Sequence, residues 1–66
     1  MNNLKYYRRA AGYSMNEFAH CIGISKKQYE AMERGDIDIP DNVQTIIVGL
    51  IAEGLGEFID IDELFA

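Results

Sequence analysis

Cysteine and tryptophan are almost missing from this sequence, which holds one of the first, none of the second and a single proline in 66 residues. A lone Cys21 rules out an internal disulfide framework and fits a reducing cytoplasm. His20 is the only histidine, so no further Cys or His exists to complete a metal site. Long apolar runs are absent too. The longest strict one is Ile46 to Val48, extended through Gly49 to Ala52, against roughly 18 residues for a membrane span. Met1-Asn2-Asn3-Leu4-Lys5 offers no apolar signal core, so nothing points to export. Asp36, Asp38 and Asp41 lack the glycine and closing glutamate of a calcium loop. With no nucleophile–base pair and no glycine-rich phosphate loop, the expectation is a protein that is not an enzyme and carries no cofactor or metal.

Positive charge is missing from the second half. All six basic residues (Lys5, Arg8, Arg9, Lys26, Lys27, Arg34) precede Gly35, against Glu17, Glu30 and Glu33, a balance of +3. Residues 35–66 hold eight carboxylates and no lysine or arginine, a balance of −8. The total of −5 argues against a nucleic-acid partner, but the uneven distribution softens the objection. Screening acts over about 8 Å, so an acidic half on the far side of the domain weakens such binding without abolishing it.

What is present is one domain, 1–66. A chain of this length buries only roughly 60% of its unfolded surface, so its stability margin is thin and a second copy would help. No repeat or linker interrupts it. Leu4, Tyr7, Arg8 and Ala11 fall on one face of a first helix that Gly12 stops. Ser14-Met15-Asn16-Glu17 and Ser25-Lys26-Lys27-Gln28 are two capping boxes, each opening a helix. The first of these helices ends near Cys21 or Ile22, turns through Gly23 and Ile24, and leads to a second over 26–34 that Gly35 closes. Pro40 sets up a fourth helix whose apolar face reads Val43, Ile46, Ile47, Leu50 and Ile51, ended by Gly54 and Gly56. Asp60 or Asp62 caps a last helical turn with Leu64 and Phe65, although the alternation of 58–62 also suits an extended segment. The expected fold class is all-α, a compact bundle of four to five short helices with a helix-turn-helix at 14–34.

From Leu4 to Gly35 the chain resembles the phage repressor and Cro-like (Xre-type) helix-turn-helix family. Counted from Met15, the family's apolar fourth, alanine fifth, glycine ninth and apolar tenth, fifteenth and eighteenth positions are Phe18, Ala19, Gly23, Ile24, Tyr29 and Met32. Glu33-Arg34-Gly35 matches the family's usual ending of its second motif helix. The resemblance implies that Arg8, odd on an apolar face, forms a partly buried ion pair with Glu33. Two features depart from the family. Met15 stands where a glutamine usually opens the first motif helix, and 53–57 lengthens the region before the last element.

The resemblance implies a lambda-repressor-like DNA-binding transcriptional regulator, with helix 26–34 in the major groove and its N-terminal residues on base edges. The outward candidates are Lys26, Lys27, Gln28, Glu30 and Ala31. Lysine suits guanine O6 and N7, and glutamine suits adenine N6 and N7. Two lysines at a helix start oppose the helix dipole, which favours a role over a merely solvated face. Gln28 is also explained by its capping box, and Glu30 by solvent. Asn16 is placed to meet the DNA backbone, with Arg34 and Lys5 or Arg9 as further phosphate contacts. The partner is then double-stranded DNA, read as a homodimer through Ile59, Ile61, Leu64 and Phe65, unless those residues fold back on helices one and four. The competing reading is an acidic helix-turn-helix that has given up DNA and binds a protein through its second half, as an interaction module or antirepressor.

Overall fold

Five α-helices make up the chain in a computed structural model that describes residues 2–65. They are α1 (Leu4–Ala10), α2 (Met15–Ile22), α3 (Lys26–Arg34), α4 (Asp41–Leu55) and α5 (Ile61–Phe65). Met1, first residue of the segment searched for a leader, lies outside the described residues. No strand occurs among the described residues, in agreement with the all-α expectation.

Local chemistry fixes the middle of the chain. Ser14 Oγ accepts from the Glu17 N–H, and Glu17 Oε1 accepts from the Ser14 N–H, both at 3.1 Å. Ser25 and Gln28 repeat the arrangement at 3.1 and 3.2 Å. Each box satisfies two amide donors that a helix start leaves open, which makes these two starts independent of the rest of the fold. Between them Gly23 takes φ +90°, a left-handed conformation that a Cβ penalises, and turns α2 into α3.

The core consists of Leu4, Phe18, Ala19, Tyr29, Ile47, Ile51, Ile59 and Leu64, drawn from all five helices and the α4–α5 connection. Phe18 and Tyr29 meet edge-to-face with ring centroids 5.4 Å apart, which joins α2 to α3. Under them lies an ion pair. Arg8 Nε donates to Glu33 Oε2 at 2.7 Å, and Arg8 Nη1 donates to the Tyr13 carbonyl at 2.7 Å. One guanidinium thus ties α1, the α1–α2 turn and α3 together, as the resemblance implied. The Tyr29 hydroxyl is buried beside them with no hydrogen-bond partner. Burial first, and then the adjoining Glu33 carboxylate, push its pKa up, so it stays neutral.

In two places the structure differs from the pattern in the sequence, and in a third it decides between two readings. The buried row of α4 is Ile47 and Ile51, flanked by half-buried Val43, Val48, Leu50 and Leu55, while Ile46 is exposed. The face is rotated because α4 packs against α1, α2 and α5 at once and needs a broader stripe than one amphipathic row. Gly54 does not end α4; Gly56 does, in the left-handed conformation. Gly54 lies where α4 meets the end of α1, and a Cβ there would stand 2.7 Å from the Ala11 Cβ and 2.8 Å from its carbonyl oxygen. Finally, of the two readings of the C-terminal segment the helical turn is the one present, over Ile61–Phe65, while 58–60 has no regular structure. Asp60 Oδ1 accepts from the Asp62 N–H at 3.1 Å, and Ile59 and Leu64 enter the core. They fold back on the monomer, which removes two of the four residues expected to form a dimer patch. The Asn3 amide closes the bundle by donating to the Leu64 and Glu63 carbonyls from its main chain and side chain.

Alanine in a helix is ordinarily worth up to about 1 kcal/mol over glycine. Gly54→Ala reverses that sign, with an expected net loss of about 1–3 kcal/mol from overpacking. Gly49→Ala, with nothing within 4 Å of the added Cβ, raises the melting temperature. Calorimetry of the two variants decides the point, and a rise for both refutes the close approach. For the ion pair, Arg8→Met or Glu33→Leu alone costs about 3–5 kcal/mol, because each strands a buried charge. The double variant recovers most of the loss in urea titration; an additive double loss would show that the two charges are not coupled.

Candidate nucleic-acid interface

The inner side of α3 is set by Tyr29, Met32 and Glu33, all buried. At 3.6 residues per turn, about 100° each, the opposite side is the row Lys27, Ala31 and Arg34, with Gln28 and Glu30 on its flanks and Lys26 nearer the Glu33 side at the start of the helix. Lys26, Lys27, Gln28 and Arg34 are exposed and Ala31 is half-buried. The structure therefore puts Lys27, Gln28, Ala31 and Arg34 on the outer surface of the helix, with Lys27 at the N-terminal end of the row, Lys26 exposed at the helix start and Glu30 half-buried. Ala31 leaves a low point between the two ends of the row, so a partner surface can approach the helix closely.

The polar groups of this surface are not equally free. Neither Lys26 nor Lys27 has a carboxylate within salt-bridge distance among the described residues. The side-chain carbonyl of Gln28 accepts from Ser25, which leaves its amide NH₂ as donor. A bidentate contact to adenine needs both groups, so it requires opening the capping box. Arg34 is engaged as well: its Nε donates to Asp36 Oδ2 at 2.9 Å, and its Nη1 lies 3.9 Å from Glu30. All three side chains are about half exposed, so these are weak surface pairs that a phosphate can displace.

Asn16 is exposed in the first turn of α2. Its neighbour Glu17 remains charged to lower pH than an ordinary carboxyl, because the Ser14 backbone N–H and then its side chain hold the anion. Lys5 and Arg34 share one cleft with Asn2, Met15, Glu30 and Glu33, around the position where the family places its glutamine. Arg9 falls on the other side of α1, in a groove with Lys5 and Tyr6. Of the two α1 candidates, Lys5 is thus the one that adjoins the α2–α3 surface.

Asp36 was missed as part of this surface, since in the sequence it reads only as one of several loop carboxylates. Gly35 in the left-handed conformation and the bond from Asp36 N–H to the Ala31 carbonyl turn it back toward Arg34. An Arg-Gly-Asp order after a helix was the available signal. No cluster of three or more His, Cys, Asp and Glu residues suited to a metal ion occurs among the described residues. No helix among them is long and apolar enough to cross a membrane.

A family model described as helix-turn-helix matches residues 4–62. Neither the curated proteins nor the solved structures gave a match to the chain. The family match spans all of α1 to α4 and begins α5, and it agrees with the two capping boxes, the Gly23 turn and the Arg8–Glu33 pair. The chain belongs to the Xre/lambda repressor-like helix-turn-helix family of DNA-binding regulators.

Proposed function

We propose that the protein is a sequence-specific transcriptional regulator of the repressor or Cro-like kind, acting in the cytoplasm, which lays α3 in the major groove of DNA. The observation that carries this reading is the outer row of α3. It presents Lys27, with Lys26 exposed one residue before it and both without carboxylate partners among the described residues, beside a low Ala31, on a helix whose inner side is clamped by Tyr29, Met32 and Glu33. A rigid helix of this width fits a major groove about 12 Å across. Lys27 contacts a base edge or phosphate from the N-terminal end of the row, Lys26 a phosphate beside the helix start, and Ala31 packs against the groove floor. Asn16 and the open amides of the first turn of α2 meet the backbone.

The net acidity is compatible with this role because of where the negative charge sits. α5 packs on α1 and α4, while α3 packs chiefly on α2, so most of the carboxylates of the second half are carried away from the proposed groove helix. Two copies read two half-sites about 34 Å apart, and the selected site is pseudo-palindromic. Their contact does not use Ile59 or Leu64, which are in the core.

Selection from random DNA with the pure protein enriches one such site. Binding to it falls steeply with salt, and Lys27→Glu weakens it by at least tenfold, about 1.4 kcal/mol, and flattens the salt slope by about one or two ions. No enrichment at low salt, or affinity indifferent to salt and to both Lys26→Glu and Lys27→Glu, sinks the DNA reading in favour of the protein-interaction module. A second expectation concerns Arg34. Asp36→Asn releases it, so affinity rises by about two- to fivefold and the salt slope steepens by about one ion. In an Arg34→Ala background most of that gain disappears, whereas a gain that persists would assign the effect of Asp36 to general repulsion.

A further inference from the structure

The outer side of α1 carries an open groove of about 530 Å³, lined by Asn2, Asn3, Lys5, Tyr6, Arg9 and Ala10. Tyr6 is 70% exposed along it, and Lys5 and Arg9, one helical turn apart, are exposed beside the ring. Neither cation has a carboxylate within salt-bridge distance among the described residues. The two asparagines are already engaged. Asn2 Nδ2 donates to the Met32 carbonyl at 2.9 Å, and Asn3 Nδ2 donates to the Glu63 carbonyl at 2.8 Å. What the groove offers a ligand is therefore one aromatic wall and two unpaired positive charges.

The complementary element stands in the α4–α5 connection. Phe58 is 86% exposed, although Ile59 beside it is buried in the core. Ile59 anchors the backbone at this point, so the fold itself presents the ring to solvent. Glu57 and Asp60 are exposed around it, and neither is paired with a cation among the described residues. Phe58 does not line the α1 groove of its own molecule, so any such ring in that groove comes from elsewhere. A phosphate backbone would pair with Lys5 and Arg9 but would leave Phe58 in water. A second copy satisfies both elements at once, ring against ring and carboxylate against cation. The net charge of −5 on each copy acts at a distance, where salt screens it over about 8 Å, while the contact itself joins opposite charges.

We propose that the α1 groove of one copy receives Phe58 of a second copy. The ring packs against Tyr6 with the Arg9 guanidinium over its face, and Glu57 and Asp60 pair with Lys5 and Arg9. Groove and ring are different surfaces, so each contact is of the heterologous kind, made by one surface of the first copy and another of the second. It draws on neither Ile59 nor Leu64, which the core has taken. The inference does not rest on the DNA reading, because it uses none of the residues of α3.

The test is sedimentation equilibrium of the full chain without DNA, which is expected to show reversible self-association. Phe58→Ser and Arg9→Glu each weaken it by about tenfold, as loss of an interface anchor does. Phe58→Ser keeps the wild-type melting temperature, because the ring it removes is exposed. An equimolar mixture of the two variants forms one-to-one pairs that neither variant forms alone. The Arg9→Glu copy still has its Phe58, and the Phe58→Ser copy still has its groove. A mixture that associates no better than its components overturns the proposal in favour of a symmetric contact of Phe58 with Phe58. Self-association untouched by both substitutions overturns it in favour of another surface. Wild-type protein that stays monomeric at millimolar concentration, while Arg9→Glu loses affinity for selected DNA, overturns it in favour of a phosphate contact.

Discussion

The arrangement of the three N-terminal helices depends on one buried guanidinium. Arg8 reaches from α1 to Glu33 near the end of α3 and to the Tyr13 carbonyl before α2, each at 2.7 Å. Both charged side chains are nearly out of solvent, 5% and 6% exposed, so neither tolerates the loss of its partner. A hydrophobic contact in that place would stabilise at least as well but would not specify direction. The planar Arg–carboxylate geometry fixes the rotation of α3 about its axis, and with it which residues face outward. That Lys27, Ala31 and Arg34 form the outer row follows from Glu33 being held on the inner side.

Around this constraint the domain separates into two electrical regions that are also two structural ones. The α2–α3 unit is locally specified by its caps and its turn, and it carries the free lysines. The α4–α5 unit closes the core from behind through Ile47, Ile51, Ile59 and Leu64, and it carries unpaired carboxylates. An acidic protein with a DNA-facing helix is consistent once charge is assigned to faces instead of summed. Local field, not net charge, governs encounter with a phosphate backbone within about one Debye length.

Much of the outline was legible because it rests on short-range chemistry. A serine three residues before Glu17 or Gln28 forms its capping box whatever lies beyond it, and Gly23 turns left-handed because only glycine does so without strain. The positions of Phe18, Ala19, Tyr29 and Met32 follow from helical spacing and from the family pattern. Arg8 was legible only through its place in that pattern, since periodicity alone put a charge on an apolar face without saying what met it.

What the sequence by itself determined is thus where helices start and stop in the first half, which side of α3 is apolar, and the uneven charge of the two halves. Only the tertiary structure decided which apolar residues of the second half are core: Ile47, Ile59 and Leu64 are buried, while Ile46 and Phe58 are left outside. It alone showed that Gly54 is a close helix contact and that Asp36 turns back on Arg34. The reason is common to all of these. A cap or a turn is a contract between residues a few positions apart, but burial on α4 and in the C-terminal segment depends on which of three neighbouring helices arrives at each side. Residue spacing along one helix does not contain that information.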